Sequence, residues 1–145
     1  MKMKPYKIGY TTGVFDLFHV GHLNILKRAK EQCDYLIVGV STDELVMEYK
    51  SKKPVIPQQE RVEIVNSIKY VDLVVHQTNR NKFFAWEELK FDVLFVGDDW
   101  KGDSLFVEME KKFNHVGVEI IYFPYTSGVS STGLKEKIRY KKSVV

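Results

Sequence analysis

Apolar positions along the chain fall into two alternating kinds of segment. Short runs rich in β-branched and aromatic residues predict five strands: "YKIGY" (Tyr6–Tyr10), "YLIVGV" (Tyr35–Val40), "LVVH" (Leu73–His76), "VLFV" (Val93–Val96) and "EIIYF" (Glu119–Phe123). Three of these runs are nearly all apolar, the pattern of strands buried on both faces. Between them the period lengthens. Leu23, Leu26, Ala29 and Cys33 recur at helical spacing, with Lys27, Arg28, Lys30 and Glu31 on other faces. Val62, Val65 and Ile68 repeat the pattern after Pro57, which suits a first helical turn. Further helices are predicted over Phe83–Leu89, Ser104–Phe113 and from about Ser130 to Ile138.

Strands alternating with helices over short connections imply one parallel sheet with helices on both faces. In such sheets ligands bind at the carboxyl ends of the strands, beside helix amino termini. No repeat, linker or low-complexity segment divides the chain, so residues 1–145 read as a single domain. A basic tail, "KIRYKK" (Lys137–Lys142), begins near position 138 and reads as a solvated end.

Composition changes this picture little. The chain has 145 residues, enough for one core. At 44% hydrophobic and 28% charged it is ordinary for a soluble globular protein. The net charge of +3 is too mild to argue for nucleic acid, though it favours a small anionic substrate. Apolar runs reach only about six residues, too short to span a bilayer, so no membrane insertion is expected. No signal-peptide pattern opens the chain, and a single cysteine fits a reducing compartment, so the expectation is a cytoplasmic protein. Cys33 itself falls on the apolar side of a predicted helix and reads as a buried small hydrophobe.

Chemistry concentrates at "GVFDLFHVGH" (Gly13–His22), between the first strand and first helix. Gly21 lets backbone approach a ligand, and free N–H groups at a helix start attract anions. His19 and His22, three apart, project to one side of a helical entry and can donate to a single phosphate. Zinc is the rival occupant. The other histidines, His76 and His115, are distant in sequence, and Asp16 is the nearest carboxylate, so no metal site is assigned. Two ordinary structural histidines remain the bland alternative.

"GVFDLFHVGH" resembles the HxGH signature of the nucleotidyltransferase superfamily. Other stretches follow in order: "STDEL" (Ser41–Leu45), "QQERVEIVNSIKYVD" (Gln58–Asp72) as a third helix, "VGDDWKG" (Val96–Gly102) and "TSGVSST" (Thr126–Thr132). Together they are similar to the cytidylyltransferases, above all those acting on glycerol 3-phosphate, over roughly Ile8 to Lys137. The resemblance implies a Rossmann-like three-layer α/β/α domain with a five-stranded parallel sheet. It implies an enzyme that joins CTP to a phosphorylated alcohol, giving a CDP-alcohol for a surface polymer or lipid and releasing pyrophosphate. A magnesium ion held by the nucleotide and a homodimer are further implications. An adenylyltransferase of the same fold is the alternative, acting on a sugar phosphate or cofactor precursor. So are a polyol- or amino-alcohol-phosphate enzyme and a non-catalytic nucleotide-binding domain.

The attacking group would be the substrate's own phosphate, whose second pKa of about 6 leaves it ionised at neutral pH. Catalysis then reduces to positioning and cationic stabilisation. No nucleophile elbow or GxxxxGK[ST] loop offers other chemistry. By the resemblance, His19 and His22 contact the triphosphate. Lys50 and Lys52, with Lys53 as a competing assignment, reach it from the loop after the second strand; alone, "KSKK" would read as a solvated charge run. Val14, Phe15, Gly21, Asp98, Trp100, Tyr125, Thr126, Ser130 and Ser131 correspond to nucleotide-binding positions, with Ser130 equally explicable as an ordinary helix cap. Asp16, Asp43, Arg61 and Lys69 correspond to substrate-side positions; for the two aspartates a structural role and a role in placing substrate and metal both stay open, and Arg61 is expected to hold the acceptor phosphate. The pattern departs from the glycerol enzymes at Val14 for threonine, Lys69 for arginine and Tyr125 for arginine. These changes bear more on the acceptor than on cytidylyl transfer.

Overall fold

In the computed structural model, which describes residues 4–98, 101–124 and 133–138, the five predicted runs form one sheet. The strands are β1 (Tyr6–Gly13), β2 (Cys33–Ser41), β3 (Leu73–Gln77), β4 (Val93–Gly97) and β5 (Glu119–Phe123). The helices are α1 (Val20–Gln32), α2 (Asp43–Lys50), α3 (Gln58–Asn66), α4 (Lys82–Leu89) and α5 (Ser104–His115). Residues 133–138 are also helical. All pairings are parallel, in the order β3-β2-β1-β4-β5. The chain winds outward from β1 through β2 to β3, then crosses to β4 and β5. The switch point therefore lies between β1 and β4, where a crevice opens at the carboxyl ends of the strands.

Strand alternation splits the core into two layers. Leu36, Val38 and Val40 of β2 and Phe95 of β4 face Leu26 and Ala29 of α1 and Val65 of α3. Ile37, Leu94 and Val96 face the other way, toward Phe83 and Trp86 of α4 and Phe106, Met109 and Phe113 of α5. The two layers put α1 and α3 on one face and α4 and α5 on the other. Close packing reaches the strands themselves. A Cβ at Gly9 would lie 2.6 Å from the Phe95 ring and 2.8 Å from Cys33 Sγ, so only glycine fits there.

Several predicted boundaries move. Cys33 is not helical. It caps α1 in extended backbone and starts β2, fully buried, its Sγ donating to Ala29 O at 3.3 Å. Burial pushes its thiol up to about 11, in keeping with an inert core residue. The third predicted helix stops at Asn66 rather than running to Asp72. Ile68 still packs on the core from the turn that follows, which is why the apolar spacing outlasted the helix. Pro57 is the residue before α3, not in its first turn. The apolar run of β3 also misleads, because β3 is an edge strand and Leu73 is 38% exposed.

Candidate active site

A pocket of about 600 Å³ opens at the switch point. Its floor is the carboxyl ends of the strands: Thr11–Gly13 of β1, Ser41 of β2, Gln77 of β3, and Val96 and Gly97 of β4. Val14, Phe15, Asp16 and His22 come from the β1–α1 connection and the first turn of α1.

The two histidines are built into the start of α1. His19 is the N-cap, in extended backbone, and its Nδ1 accepts from the Gly21 N–H at 3.0 Å. His22 answers from the third helical position, its Nδ1 accepting from the His19 N–H at 3.2 Å. The pair thus forms a capping box in imidazole rather than hydroxyl and carboxylate. With Nδ1 of each ring accepting, the proton of each neutral imidazole sits on Nε2, leaving that N–H as a donor. The rings stack with centroids 3.9 Å apart, and Phe15 and Phe18 flank His22 at 5.4 and 5.2 Å. Burial, then the neighbouring His19, pushes His22 down to about 4 against the pull of Asp16. Burial also lowers His19. At neutral pH the pair is two uncharged donors. Gly21 meanwhile spends its N–H on His19 rather than on a ligand.

Asp16 organises the loop beside them. It is 4% exposed and accepts from the Val55 and Ile56 N–H groups at 2.8 and 2.9 Å. Lys135, from the helical turn over 133–138, pairs with it at 3.1 Å. Burial would raise this carboxyl, but the two backbone N–H groups and the Lys135 ammonium outweigh it and hold it below its usual value. The residues on either side, Phe15 and Leu17, take left-handed backbone at φ 54° and 49°. For bulky side chains this costs roughly 1–3 kcal/mol each, a strain typical of loops held for function.

Lys50, Lys52 and Lys53 all line the pocket. Lys50 is not in a loop, as expected, but in the last turn of α2. That helix is short and starts at the Thr42 cap, whose Oγ1 accepts from Leu45 N–H at 3.1 Å. Partial burial, then Lys135 and Lys52, lowers the Lys50 ammonium, with Asp16 opposing.

Arg61 is the main correction. Its guanidinium is fully buried and committed: Nε donates to Ile56 O at 2.8 Å, NH1 to Val14 O at 2.7 Å and Ser41 O at 2.8 Å, and NH2 to Asp43 at 2.6 Å. Asp43 in turn accepts from Gln58 N–H at 3.3 Å and does not line the pocket. Arg61 and Asp43 therefore brace the loops around the site instead of presenting themselves to a phosphate. Lys69 is displaced altogether. It is exposed, lies over the Tyr70 ring at 5.2 Å, and precedes β3, which puts it at the amino edge of a sheet whose site is at the carboxyl edge. Asp98 follows β4, exposed, outside the pocket wall. Asp99, Trp100, Tyr125, Thr126, Ser130 and Ser131 lie outside the described residues.

Sequence reasoning overlooked Arg80, Lys82 and Lys135, which also line the pocket. The available signal was position: Arg80 and Lys82 follow the carboxyl end of β3, where a parallel sheet places its ligands. Among the described residues the pocket gathers six lysines and arginines (Lys50, Lys52, Lys53, Arg80, Lys82 and Lys135) and one carboxylate, Asp16. No group of three or more metal-ligating side chains occurs among the described residues, and none of their helices is long and apolar enough to cross a membrane.

A Rossmann-like sheet with cations and neutral imidazole donors at its switch point defines a phosphate-handling enzyme of the nucleotidyltransferase type. The family model described as cytidylyltransferase-like matches residues 10–137, and the chain belongs to that family. It is 38% identical to glycerol-3-phosphate cytidylyltransferase of Bacillus subtilis (strain 168), over 88% of this chain and 94% of that protein. It is 37% identical to FAD synthase of Thermococcus sibiricus, over 79% of this chain and 78% of that protein. Among solved structures, the lipopolysaccharide core biosynthesis protein of Thermoplasma volcanium superposes with a TM-score of 0.69 at 27% identity. The match covers 83% of this chain and 97% of that one.

Proposed function

We propose that the protein transfers CMP from CTP to the phosphate of a phosphorylated alcohol, glycerol 3-phosphate foremost, releasing pyrophosphate. The observation that carries this reading is the pocket's charge balance among the described residues: six cations and the neutral His22 imidazole against one carboxylate already engaged. Such a lining suits a reaction whose difficulty is anion repulsion, and the one carboxylate among its described residues is already engaged. An oxygen of the acceptor phosphate attacks the α-phosphorus of CTP, and the bond to the bridging oxygen of the leaving pyrophosphate breaks. No proton moves, because the acceptor phosphate is already ionised.

The Nε2–H donors of His19 and His22 bind oxygens of the triphosphate and strengthen as charge builds in the transition state. Their depressed pKa values keep them neutral donors, so no proton is lost to the leaving group. Lys50, Lys52 and Lys53 neutralise the triphosphate from α2 and the loop after it. Val14 and Phe15 wall the nucleotide side. Magnesium supplies further charge neutralisation when it arrives with the nucleotide. Asp16, already engaged by two N–H groups and Lys135, would contribute little to holding that ion.

A second reading is adenylyl transfer, favoured by the likeness to an FAD synthase. Pyrophosphate release should be measured with each nucleoside triphosphate, magnesium and a panel of acceptors comprising glycerol 3-phosphate, other polyol phosphates, amino-alcohol phosphates and FMN. Release with CTP and glycerol 3-phosphate is the expected outcome. Release with ATP alone would replace the first reading by the second.

A further inference from the structure

Six cations share the pocket, and like charges crowded together push apart. Burial, then Lys135 and Lys52, lowers the Lys50 ammonium; burial, then Arg80, pushes that of Lys82 down to about 8. Carboxylates could hold such a cluster together, but each would cancel charge that a bound phosphate needs. Among the described residues lining the pocket Asp16 is the one carboxylate, and Lys135 and two backbone N–H groups engage it. An aromatic face attracts a cation and leaves its net charge intact.

Tyr49 supplies such a face between two elements. It lies in the last turn of α2, half-buried, and lines the pocket. The Arg80 guanidinium, from the β3–α4 connection, lies 4.9 Å from the centre of its ring, and the Lys50 ammonium 5.7 Å. Both fall inside the range of about 6 Å over which a ring quadrupole acts on a cation. The ring itself is anchored to the sheet. Its hydroxyl meets the Ser41 side chain, and Ser41 Oγ donates to Gln77 Oε1 at 2.8 Å. Ser41 commits its one proton to Gln77, so the phenol is the donor in the first bond. Ser41 and Gln77 are buried and pair in register at the carboxyl ends of β2 and β3, where Thr42 N–H also donates to Gln77 O at 3.0 Å. Lys82 repeats the arrangement, its ammonium 5.4 Å from the centre of the Phe106 ring.

We propose that Tyr49 is a positioning residue for the pocket's cations: its ring holds Lys50 and Arg80 at the carboxyl edge of the sheet without cancelling the charge that bound phosphates require. The proposal rests on the phosphate-handling chemistry above, but not on which nucleotide or alcohol is used.

The test compares Tyr49→Leu with Tyr49→Phe in the full chain. Both variants lose the hydroxyl link to Ser41, and only Phe keeps the ring. Calorimetry with inorganic tripolyphosphate reads polyanion affinity without turnover. Leu should weaken that binding by about tenfold, whereas Phe should stay within about threefold of the parent. With CTP and glycerol 3-phosphate, kcat/KM should follow the same order. Thermal unfolding should group the variants differently, with Leu and Phe melting within a few degrees of each other. Binding would then set Phe beside the parent while stability sets it beside Leu, a split that a purely structural tyrosine does not produce. Tyr49→Met repeats the comparison if Leu does not fold. Equal tripolyphosphate affinity in the variants with and without the ring would overturn the proposal. Should the parent turn over no phosphorylated alcohol with any nucleotide, the transfer reaction fails, and the tripolyphosphate titration still decides the role of Tyr49.

Discussion

Replacing Arg61 distinguishes two accounts of the same residue. As a phosphate ligand, Arg61 would matter for substrate and little for the fold. Its geometry says the reverse. In Arg61→Met the three carbonyls of Val14, Ser41 and Ile56 lose their donors, and Asp43 loses its ion-pair partner. Each buried acceptor left unsatisfied costs about 1–3 kcal/mol, although relaxation and water entry make the losses less than additive. The Asp43 side chain keeps 32% of its exposure, so its lost partner is partly replaced by solvent and adds little. Breaking a buried charged network from one side typically costs about 3–5 kcal/mol, and that is the expected loss here.

The assay is denaturant and thermal unfolding beside steady-state kinetics. A melting temperature lower by about 10 °C or more is expected for a chain of this size. Because the three carbonyls lie in the loops that carry Phe15, Asp16 and the end of β2, KM should rise for both substrates together. Arg61→Lys should recover only part of the stability, since one ammonium cannot reach carbonyls spread around a planar fork. A variant that melts within about 2 °C of the parent while raising the acceptor KM alone would refute the bracing role.

Three further outcomes follow from the same geometry. His22→Ala should lower kcat by about 100-fold or more, and His19→Ala similarly with an added helix-cap loss of about 1 kcal/mol; near-normal kcat in both would misplace the site. Because His22 titrates near 4 when folded and near its ordinary 6.5 when unfolded, the native state resists protonation. Stability should therefore fall as pH drops from about 6.5 toward 4, and His22→Gln should flatten that part of a pH–stability profile read by circular dichroism. Asp16→Asn keeps one acceptor oxygen where Val55, Ile56 and Lys135 need two, and should cost about 1–3 kcal/mol in urea unfolding. The stabilisation from Asp16 is present at neutral pH and lost as pH falls through its lowered pKa, so parent and variant should converge only in strong acid.

The sheet was legible because buried parallel strands are written as short β-branched runs, and β5 appears at its predicted residues. Strand ends were less so. β1 continues through Thr11, Thr12 and Gly13, which pair with Val38, Gly39 and Val40 but carry no apolar signal. Helix α2 escaped because eight residues give too little periodicity, although Thr42 followed by Asp43 and Glu44 is a helix-start pattern. The histidine pair was readable as the entry to the first helix, whereas its capping box and its tautomers depend on distances no spacing reveals. Arg61 and Lys69 were misassigned for different reasons. A sequence does not say whether carbonyls from three distant loops converge on one guanidinium. Nor does a motif position say which edge of the sheet it occupies, which for Lys69 follows from its place just ahead of β3.

Lys82 and Lys135 were invisible for a third reason, and it bears on how the site is energised. Each lies in a polar stretch that reads as solvated, and each is drawn into the pocket by a distant partner, Phe106 or Asp16. The chain's mild net charge of +3 conceals this gathering. In the free protein the lysines oppose one another: Lys135 and Lys52 depress Lys50, and Arg80 depresses Lys82. The repulsion subtracts from folding stability, and on the proposed function a bound polyphosphate would return it. Substrate binding would then be coupled to fold stability through the same ammonium groups, with a salt dependence set by screening of the exposed Lys52 and Lys53 rather than the buried Lys82.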